Sequence, residues 1–218
     1  MGENEKWINQ LIKWNPCPEA VKWARQFLTA REAWVTCERA DWLLWVAGKS
    51  ARNQADYQLV VQAAAACARM VLKYVPAGET YALPAIEAAE TWAARPCEET
   101  MAATITAASA AEAARANGLA GPATEVAAWA AETAIAAAWA TAKTGDEAAW
   151  GVARSARMVA TDAVRAVAGE AWAAAREAGR VVADEVAWAT ADAAKDAAEA
   201  AAHKEMAAII RRIINEPK

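Results

Sequence analysis

Apolar residues recur every three to four positions along most of the chain, which is the period of a helix with one buried face. The clearest stretch begins at Tyr57 and continues through Val60, Val61 and Ala64 to Val71. Proline, glycine and asparagine residues interrupt this pattern at intervals and indicate turns between helices. The pattern therefore predicts an all-α fold, built as a compact array of antiparallel helical hairpins.

Residues that favour helix ends predict where several N-terminal helices begin and end. Thr29–Glu32 has the spacing of a capping box, Pro18 suits a first helical turn, and Asn53 can cap the long amphipathic helix. Another helix is expected to begin near Thr36–Cys37. It is expected to stop at Gly48, because glycine readily takes the left-handed conformation that ends helices.

Alanine-rich segments in the second half of the chain predict longer helices. Turn signals place these at about Glu98–Ala116, at Pro122–Lys143 and from Asp146 onward. Gly169 and Gly179 are weaker helix breakers, since one glycine costs a helix only about 1 kcal/mol relative to alanine. The pattern leaves open whether the last part of the chain breaks at either glycine.

Tryptophan and alanine divide the chain into two parts. Residues 1–95 are rich in tryptophan, whereas residues 96–218 are rich in alanine. Because alanine buries little apolar area, the long helices need a few large side chains for hydrophobic stabilisation. Trp129 and Trp139 lie on two faces of one such helix, which we expect to be internal or sandwiched between neighbouring helices. We expect the two parts to pack as one continuous domain.

Charge and composition argue against general nucleic-acid binding and against a membrane-spanning helix. The net charge of -4 and the pI of about 5.2 argue against general binding to nucleic-acid backbones. No apolar run reaches the roughly 18 to 20 residues of a membrane-spanning helix, and the N-terminal segment is unlike a secretory signal. We therefore expect a cytoplasmic protein with reduced thiols. Its four cysteines are widely spaced, at Cys17, Cys37, Cys67 and Cys97.

The sequence offers little catalytic chemistry. His203 is the only histidine, and its neighbours on the helix predict an exposed position. No phosphate-binding loop, dinucleotide-binding glycine motif or calcium-binding loop is present, and we expect no metal or cofactor. These observations favour a nonenzymatic protein. The Glu87 and Glu90 pair leaves a hydrolase with acid–base carboxylates as an alternative.

The densest cluster of large and charged side chains lies in Thr36–Gly48. A helix here is apolar over most of its circumference, which predicts that it is buried. Arg39 and Asp41 are its functional candidates, and a buried Asp41 paired with an arginine is the structural alternative. The residues expected to form core are Trp42, Leu43, Trp45 and Val46.

Tryptophans and arginines supply the remaining candidates. These residue types dominate protein–protein hot spots, and they also line pockets that stack a base and clamp a phosphate. Arg154, Arg165 and Arg176 recur every eleven residues, which predicts a solvated stripe neutralised by nearby acids. The candidate binding residues are Arg39, Asp41, Arg69, Trp129, Trp139, Arg154, Arg157, Arg165 and Arg211.

Two motifs connect the N-terminal part with a known family. Residues 17–23 read C-x-E-A-x-x-W, and residues 37–45 read C-E-R-x-D-W-L-L-W. Over residues 14–95 the chain resembles the immunity proteins found in bacterial and phage genomes. The resemblance implies an interaction protein of conflict between bacteria, or between phage and host, and it transfers no catalytic residues. Further similar segments are 67–75, 78–80 and 85–92.

Two functions are compatible with these observations. We expect a nonenzymatic binding protein that neutralises a toxin or defence component. The alternative is a phage anti-defence protein that sequesters a nucleotide immune signal in a pocket lined by tryptophan and arginine. The partner is accordingly a protein or a nucleotide signalling molecule, and an alanine-rich face also allows a homo-oligomer. A tryptophan- and arginine-lined cavity, in place of a filled core, would favour the nucleotide.

Overall fold

The computed structural model describes the backbone of residues 3–142, 146–181 and 184–215, and it confirms the all-α prediction. Within these ranges no helix is both long and apolar enough to cross a membrane. Short 3-10 helices at Leu72–Tyr74 and Gly179–Val181 follow the fifth and ninth α-helices. The α-helices are α1 (Glu3–Lys13), α2 (Pro18–Ala24), α3 (Ala30–Thr36), α4 (Ala40–Ser50), α5 (Gln54–Arg69), α6 (Ala82–Ala94), α7 (Glu98–Ala116), α8 (Pro122–Ala142), α9 (Asp146–Ala178) and α10 (Asp184–Ile213).

The long helices α8 and α9 form the centre of the array. Helix α8 packs against α5, α6, α7 and α9, whereas α9 also packs against α4 and α10. Val126 on α8 and Val159 on α9 are fully buried among many alanines, whose small side chains let helix axes approach closely. The main hydrophobic core extends along the sequence from Trp34 to Ile214. It therefore includes residues of both the tryptophan-rich and the alanine-rich parts.

Gly48 lies inside α4, so the prediction that it ends a helix is wrong. A Cβ atom at this position would lie 2.5 Å from the Cα of Ala153 on α9. The glycine is therefore required by the close crossing of α4 and α9. The predicted helix start at Thr36–Cys37 is also wrong, because Cys37 caps the C-terminus of α3 and α4 begins after Arg39.

Most other helix ends match the sequence signals. The capping box of α3 is complete, since Thr29 accepts a hydrogen bond from the amide of Glu32 and Glu32 accepts one from the amide of Thr29. Asn53 caps α5, and Pro18 begins α2. Helix α7 has the predicted bounds, and α8 runs to Ala142; Lys143, its predicted last residue, lies outside the described residues.

The last part of the chain breaks at Gly179 and not at Gly169. Helix α9 continues through Gly169 and ends at Ala178, immediately before Gly179. Helix α8 packs against four neighbouring helices, as its internal position requires. Of its two tryptophans, Trp129 is partly buried, but Trp139 is 56% exposed near the C-terminal end of the helix. The helix is therefore packed between neighbours, as predicted, although the side chain of Trp139 is largely exposed.

The N-terminal helices form a second, smaller core beside the main one. Ile8 and Leu11 on α1 and Ala24 on α2 are buried together. Aromatic residues that are only partly buried pack against this cluster, and they come from α1, α2, α4 and the turn after α1. They are Trp7, Trp14, Trp23 and Trp45. Trp23 also packs against the main core, and all four tryptophans line the site described below.

Candidate functional site

A pocket of about 720 Å³ lies among α1, α2, α3 and α4, with one wall completed by α9. Its volume falls within the range of about 300–1,000 Å³ that is usual for small-molecule sites. Six of the twelve tryptophans of the chain line it. They are Trp7, Trp14, Trp23, Trp34, Trp42 and Trp45. The pocket is therefore walled by aromatic rings that come from four helices and one turn.

Several of these rings hold one another in place. Trp14 meets Trp45 edge to face with their ring centroids 6.2 Å apart, and Trp23 lies 5.8 Å from Trp42. The indole Nε1 of Trp7 donates a hydrogen bond to the backbone oxygen of Leu28 at 3.2 Å. Aromatic pairs of this kind contribute roughly 0.5–1.5 kcal/mol beyond the area that they bury. Several rings of the wall are thus held by contacts within the protein.

The core predicted for the middle of α4 is only partly correct. Leu43 is buried, as predicted, whereas Trp42, Trp45 and Val46 are only partly buried. These three side chains face the pocket, so the helix is not enclosed on all sides. The prediction of a fully buried helix fails because α1 and α2 pack beside it across an open space.

The charges on the pocket wall are all of one sign. Lys6, Arg52 and Arg157 line the pocket, and no aspartate or glutamate is among its described lining residues. The chain as a whole is acidic, with a formal net charge of -4. A cationic lining in an acidic protein favours ligands that carry negative charge.

A buried carboxylate anchors the side of the pocket near Arg157. The Oδ1 and Oδ2 atoms of Asp41 accept hydrogen bonds from the Nε and Nη2 of Arg39, each at 2.9 Å. The Arg39 guanidinium lies 4.8 Å from the ring centroid of Trp42, within cation–π range. The Nε of Arg157 and the Nδ1 of His203 each lie 4.0 Å from an Asp41 oxygen. Residues of α4, α9 and α10 thus meet at Asp41.

His203 is enclosed, so its predicted exposure is wrong. Its side chain is 13% exposed because α10 packs against α4 and turns this position toward Asp41. Burial lowers the pKa of His203, and the negative charge of Asp41 only partly opposes this effect. Its Nδ1 atom has no hydrogen-bond partner among the described residues. The imidazole is therefore neutral near pH 7, as the lowered pKa requires.

Arg211 joins the C-terminal helix to the same region. Its Nη1 donates a hydrogen bond to the backbone oxygen of Cys37 at 2.6 Å and lies 3.5 Å from that of Trp34. These carbonyls belong to the C-terminal end of α3, where a cation is favourable. The neighbouring Cys37 thiol is buried, and this burial raises its pKa to about 11. Arg211 therefore stabilises the helix end that forms part of the pocket wall.

The structure places four of the nine predicted site residues close to one another and the other five elsewhere. Arg39, Asp41 and Arg157 meet at one cluster, and Arg211 lies beside the next wall of the pocket. Of these four, Arg157 alone is among the described lining residues of the pocket, and none of the five remaining predicted residues lines it. Arg69 pairs with Glu90 at 2.5 Å, and Arg165 pairs with Asp162 at 2.6 Å. Arg154 lies over the Trp150 ring. Trp129 and Trp139 are on α8.

The carboxylates of the alternative hydrolase hypothesis are on the surface between α5 and α6. Both side-chain oxygens of Glu90 accept hydrogen bonds from Arg69, at 2.5 and 2.6 Å. Glu87 is exposed on the same helix. Within the described ranges, no group of three or more histidine, cysteine, aspartate or glutamate residues is arranged to hold a metal ion.

Sequence reasoning missed several pocket residues. Lys6 and Arg52 carry no local motif, and they reach the pocket only because α1 and the end of α4 pack around it. The high density of tryptophan before residue 46 was the one sequence signal, but it indicated core as readily as a pocket. No family model, curated protein or solved structure matches this chain. The resemblance to immunity proteins therefore stays a prediction.

Proposed function

We propose that this chain is a nonenzymatic binding protein of bacterial or phage conflict, which neutralises a toxin or defence component by binding it. The motifs in residues 17–23 and 37–45 support the setting, because they resemble those of immunity proteins. The pocket favours a small molecule as the bound component. We therefore propose that the chain sequesters a nucleotide immune signal.

The observation that carries this proposal is the pocket lined by six tryptophans and three cations. Nucleotide bases stack on aromatic side chains, and each such contact is worth about 1–3 kcal/mol. Phosphates are held by lysine and arginine side chains. A volume of about 720 Å³ accommodates a ligand of nucleotide size. The lining thus offers both kinds of contact that a nucleotide needs.

The arrangement of the rings supports binding rather than collapse. Trp23 contacts both Phe27, at 4.6 Å between centroids, and Trp42, at 5.8 Å. A wall whose rings already contact one another loses little side-chain freedom when a ligand enters, so more of the contact energy is retained as affinity. The bound molecule is released unchanged in this proposal.

The direct experiment is isothermal titration calorimetry against a panel of mono-, di- and cyclic nucleotides. We expect at least one nucleotide to bind the wild-type protein, and Trp42→Ala to weaken that binding by about tenfold or more, since a stacking contact is lost. Trp150→Ala is the matched control, because Trp150 is exposed and lies outside the pocket. Binding by no member of the panel would reject the proposal, as would equal effects of the two substitutions.

A second candidate function is the binding of a protein toxin, and two exposed tryptophans favour it. Trp139 on α8 is 56% exposed, and Trp150 on α9 is 51% exposed. The Arg154 guanidinium lies 5.6 Å from the ring centroid of Trp150. Tryptophan and arginine are the residues most enriched in protein–protein hot spots.

Pull-down experiments with toxins encoded near the gene test this second candidate. We expect a captured toxin to be lost with Trp150→Ala and to be retained with Trp42→Ala, which is the reverse of the nucleotide result. Capture that depends on neither tryptophan would contradict a role for this surface.

A further inference from the structure

The cluster at the buried Asp41 carboxylate has one positive charge in excess, because two arginines, Arg39 and Arg157, lie beside this single carboxylate. The Asp41 carboxylate is only 3% exposed, and Arg39 alone makes two hydrogen bonds with it. Such a bidentate pair satisfies a carboxylate both in charge and in geometry. The neighbouring His203 is neutral, because burial lowers its pKa. The second arginine, Arg157, is therefore left as a net positive charge on this wall.

Arg157 has the geometry of an available anion-binding group. Its Nε lies 4.0 Å from the nearest Asp41 oxygen, which is beyond hydrogen-bond distance. Its side chain is 46% exposed and lines the pocket. No hydrogen bond to a described residue involves its terminal nitrogens. The planar guanidinium can therefore present two parallel N–H groups to an anion in the pocket.

The rest of the lining strengthens this reading of Arg157. Asp41, which forms an ion pair with Arg157 at 4.0 Å, does not line the pocket, and neither does any other described carboxylate. Lys6 and Arg52 add further positive charge elsewhere on the wall. Trp42 lines the pocket as well, and its ring is held beneath the guanidinium of Arg39 in the same cluster. An aromatic surface therefore lies on the same wall as an arginine whose terminal nitrogens make no hydrogen bond to a described residue.

We propose that Arg157 binds an anionic group, of phosphate type, on a ligand whose planar ring lies against the rings of Trp23 and Trp42. This inference rests on the proposed sequestration of a nucleotide, and it adds which residue selects the ligand by its charge. Arg39 is excluded from that role because both of its contacting nitrogens are committed to Asp41. The site thus distinguishes a nucleotide from the corresponding nucleoside.

The test compares matched ligands on matched variants. Calorimetry is carried out with a nucleoside and its 5′-monophosphate, using the base preferred in the nucleotide panel, on the wild type, Arg157→Gln and Arg154→Gln. Arg154 lies on the same helix, three residues before Arg157, and outside the pocket. Thermal melting confirms that each variant folds. Arg157→Lys is added because it retains the charge but lacks the two-pronged guanidinium.

We expect the monophosphate to bind the wild type more tightly than the nucleoside by about ten- to a hundredfold, the range for hydrogen bonds to a charged group. Arg157→Gln should remove most of that difference and leave nucleoside affinity unchanged. Arg157→Lys should fall between the two, and Arg154→Gln should resemble the wild type.

Two results would overturn the inference, and they are distinguishable. If nucleoside and monophosphate bind equally, or if Arg157→Gln leaves their ratio unchanged, Arg157 is not the anion-binding residue, although the pocket still binds rings. If neither ligand binds, and no other nucleotide does, the proposed function fails and the inference fails with it.

Discussion

Asp41 is the residue on which the chemistry of the pocket wall depends. It is buried, it is paired with Arg39, and it brings Arg157 and His203 to the same place. A buried ion pair is not by itself a source of stability, because removing two charges from water is costly. Its structural effect is to fix side chains of three helices around one carboxylate. The sequence motif that contains Asp41 gave no sign of its partners on α9 and α10.

The neutral state of His203 predicts a pH dependence of stability. In the unfolded chain a histidine takes up a proton below about pH 6.5, whereas the folded-state pKa of His203 is lower. Between these two pKa values the unfolded state binds more protons, so the free energy of unfolding falls as the pH falls. We expect wild-type protein to lose more stability than His203→Gln when urea denaturation is repeated at about pH 5.5 instead of pH 7.5. Equal losses would contradict a buried neutral imidazole.

The cysteines predict a second residue-level experiment. The Cys67 thiol is fully buried, which raises its pKa to about 12, whereas Cys17 is partly exposed and lines the pocket. Because the thiolate is the reactive form, we expect iodoacetamide to modify Cys17 in the native protein and to leave Cys67 intact. Mass spectrometry after a short reaction gives the site occupancies, and urea serves as the control that exposes both thiols. Similar rates for the two in the native state would contradict the described burial.

At the scale of elements, local signals predicted most helix caps, although the start predicted at Thr36–Cys37 was wrong. Contacts between distant helices could not be predicted from the sequence. The capping box at Thr29–Glu32 and the cap at Asn53 were predictable, because each depends on residues within one turn. Gly48 was misread as a helix stop, since the reason for glycine there is Ala153 on another helix. The exposure of His203 was misread for the same reason. Sequence periodicity gives a buried face, but not the neighbour that covers it.

Two glycine substitutions test the crossing of α4 and α9. Gly48→Ala places a Cβ 2.5 Å from the Cα of Ala153, so the helices must separate, and we expect a loss of roughly 1–3 kcal/mol in unfolding free energy. Gly169→Ala is the matched control, since no described heavy atom beyond its chain neighbours and the nearby backbone of its own helix lies within 4 Å of its Cβ position. Alanine there should stabilise α9 by up to about 1 kcal/mol through its higher helix propensity. Chemical denaturation measures both, and a harmless Gly48→Ala would contradict the close crossing.

At the scale of the whole molecule, the alanine-rich helices supply a scaffold and the N-terminal helices supply the pocket. Helices α8 and α9 carry many of the fully buried small residues, whereas α1 and α2 contribute only the small cluster around Ile8, Leu11 and Ala24. The division into residues 1–95 and 96–218 stays a prediction. Arg157 belongs to the second part and completes the pocket of the first, so the site requires both.

This architecture also predicts how a ligand acts on stability. A molecule that binds only the folded protein stabilises it by about 2.7 kcal/mol when its concentration is a hundred times the dissociation constant. We expect the best nucleotide of the panel to raise the thermal midpoint of the wild type, and to have less effect on Trp42→Ala. A nucleotide that binds by calorimetry but shifts neither midpoint would indicate binding without preference for the folded pocket.

The most direct test of the central claim is a crystal structure of the protein with the nucleotide that binds best. We expect the base to lie against the rings of Trp23 and Trp42, with the phosphate next to the guanidinium of Arg157. A ligand bound elsewhere, such as beside Trp150 and Arg154, or a pocket closed by its own side chains, would contradict this claim.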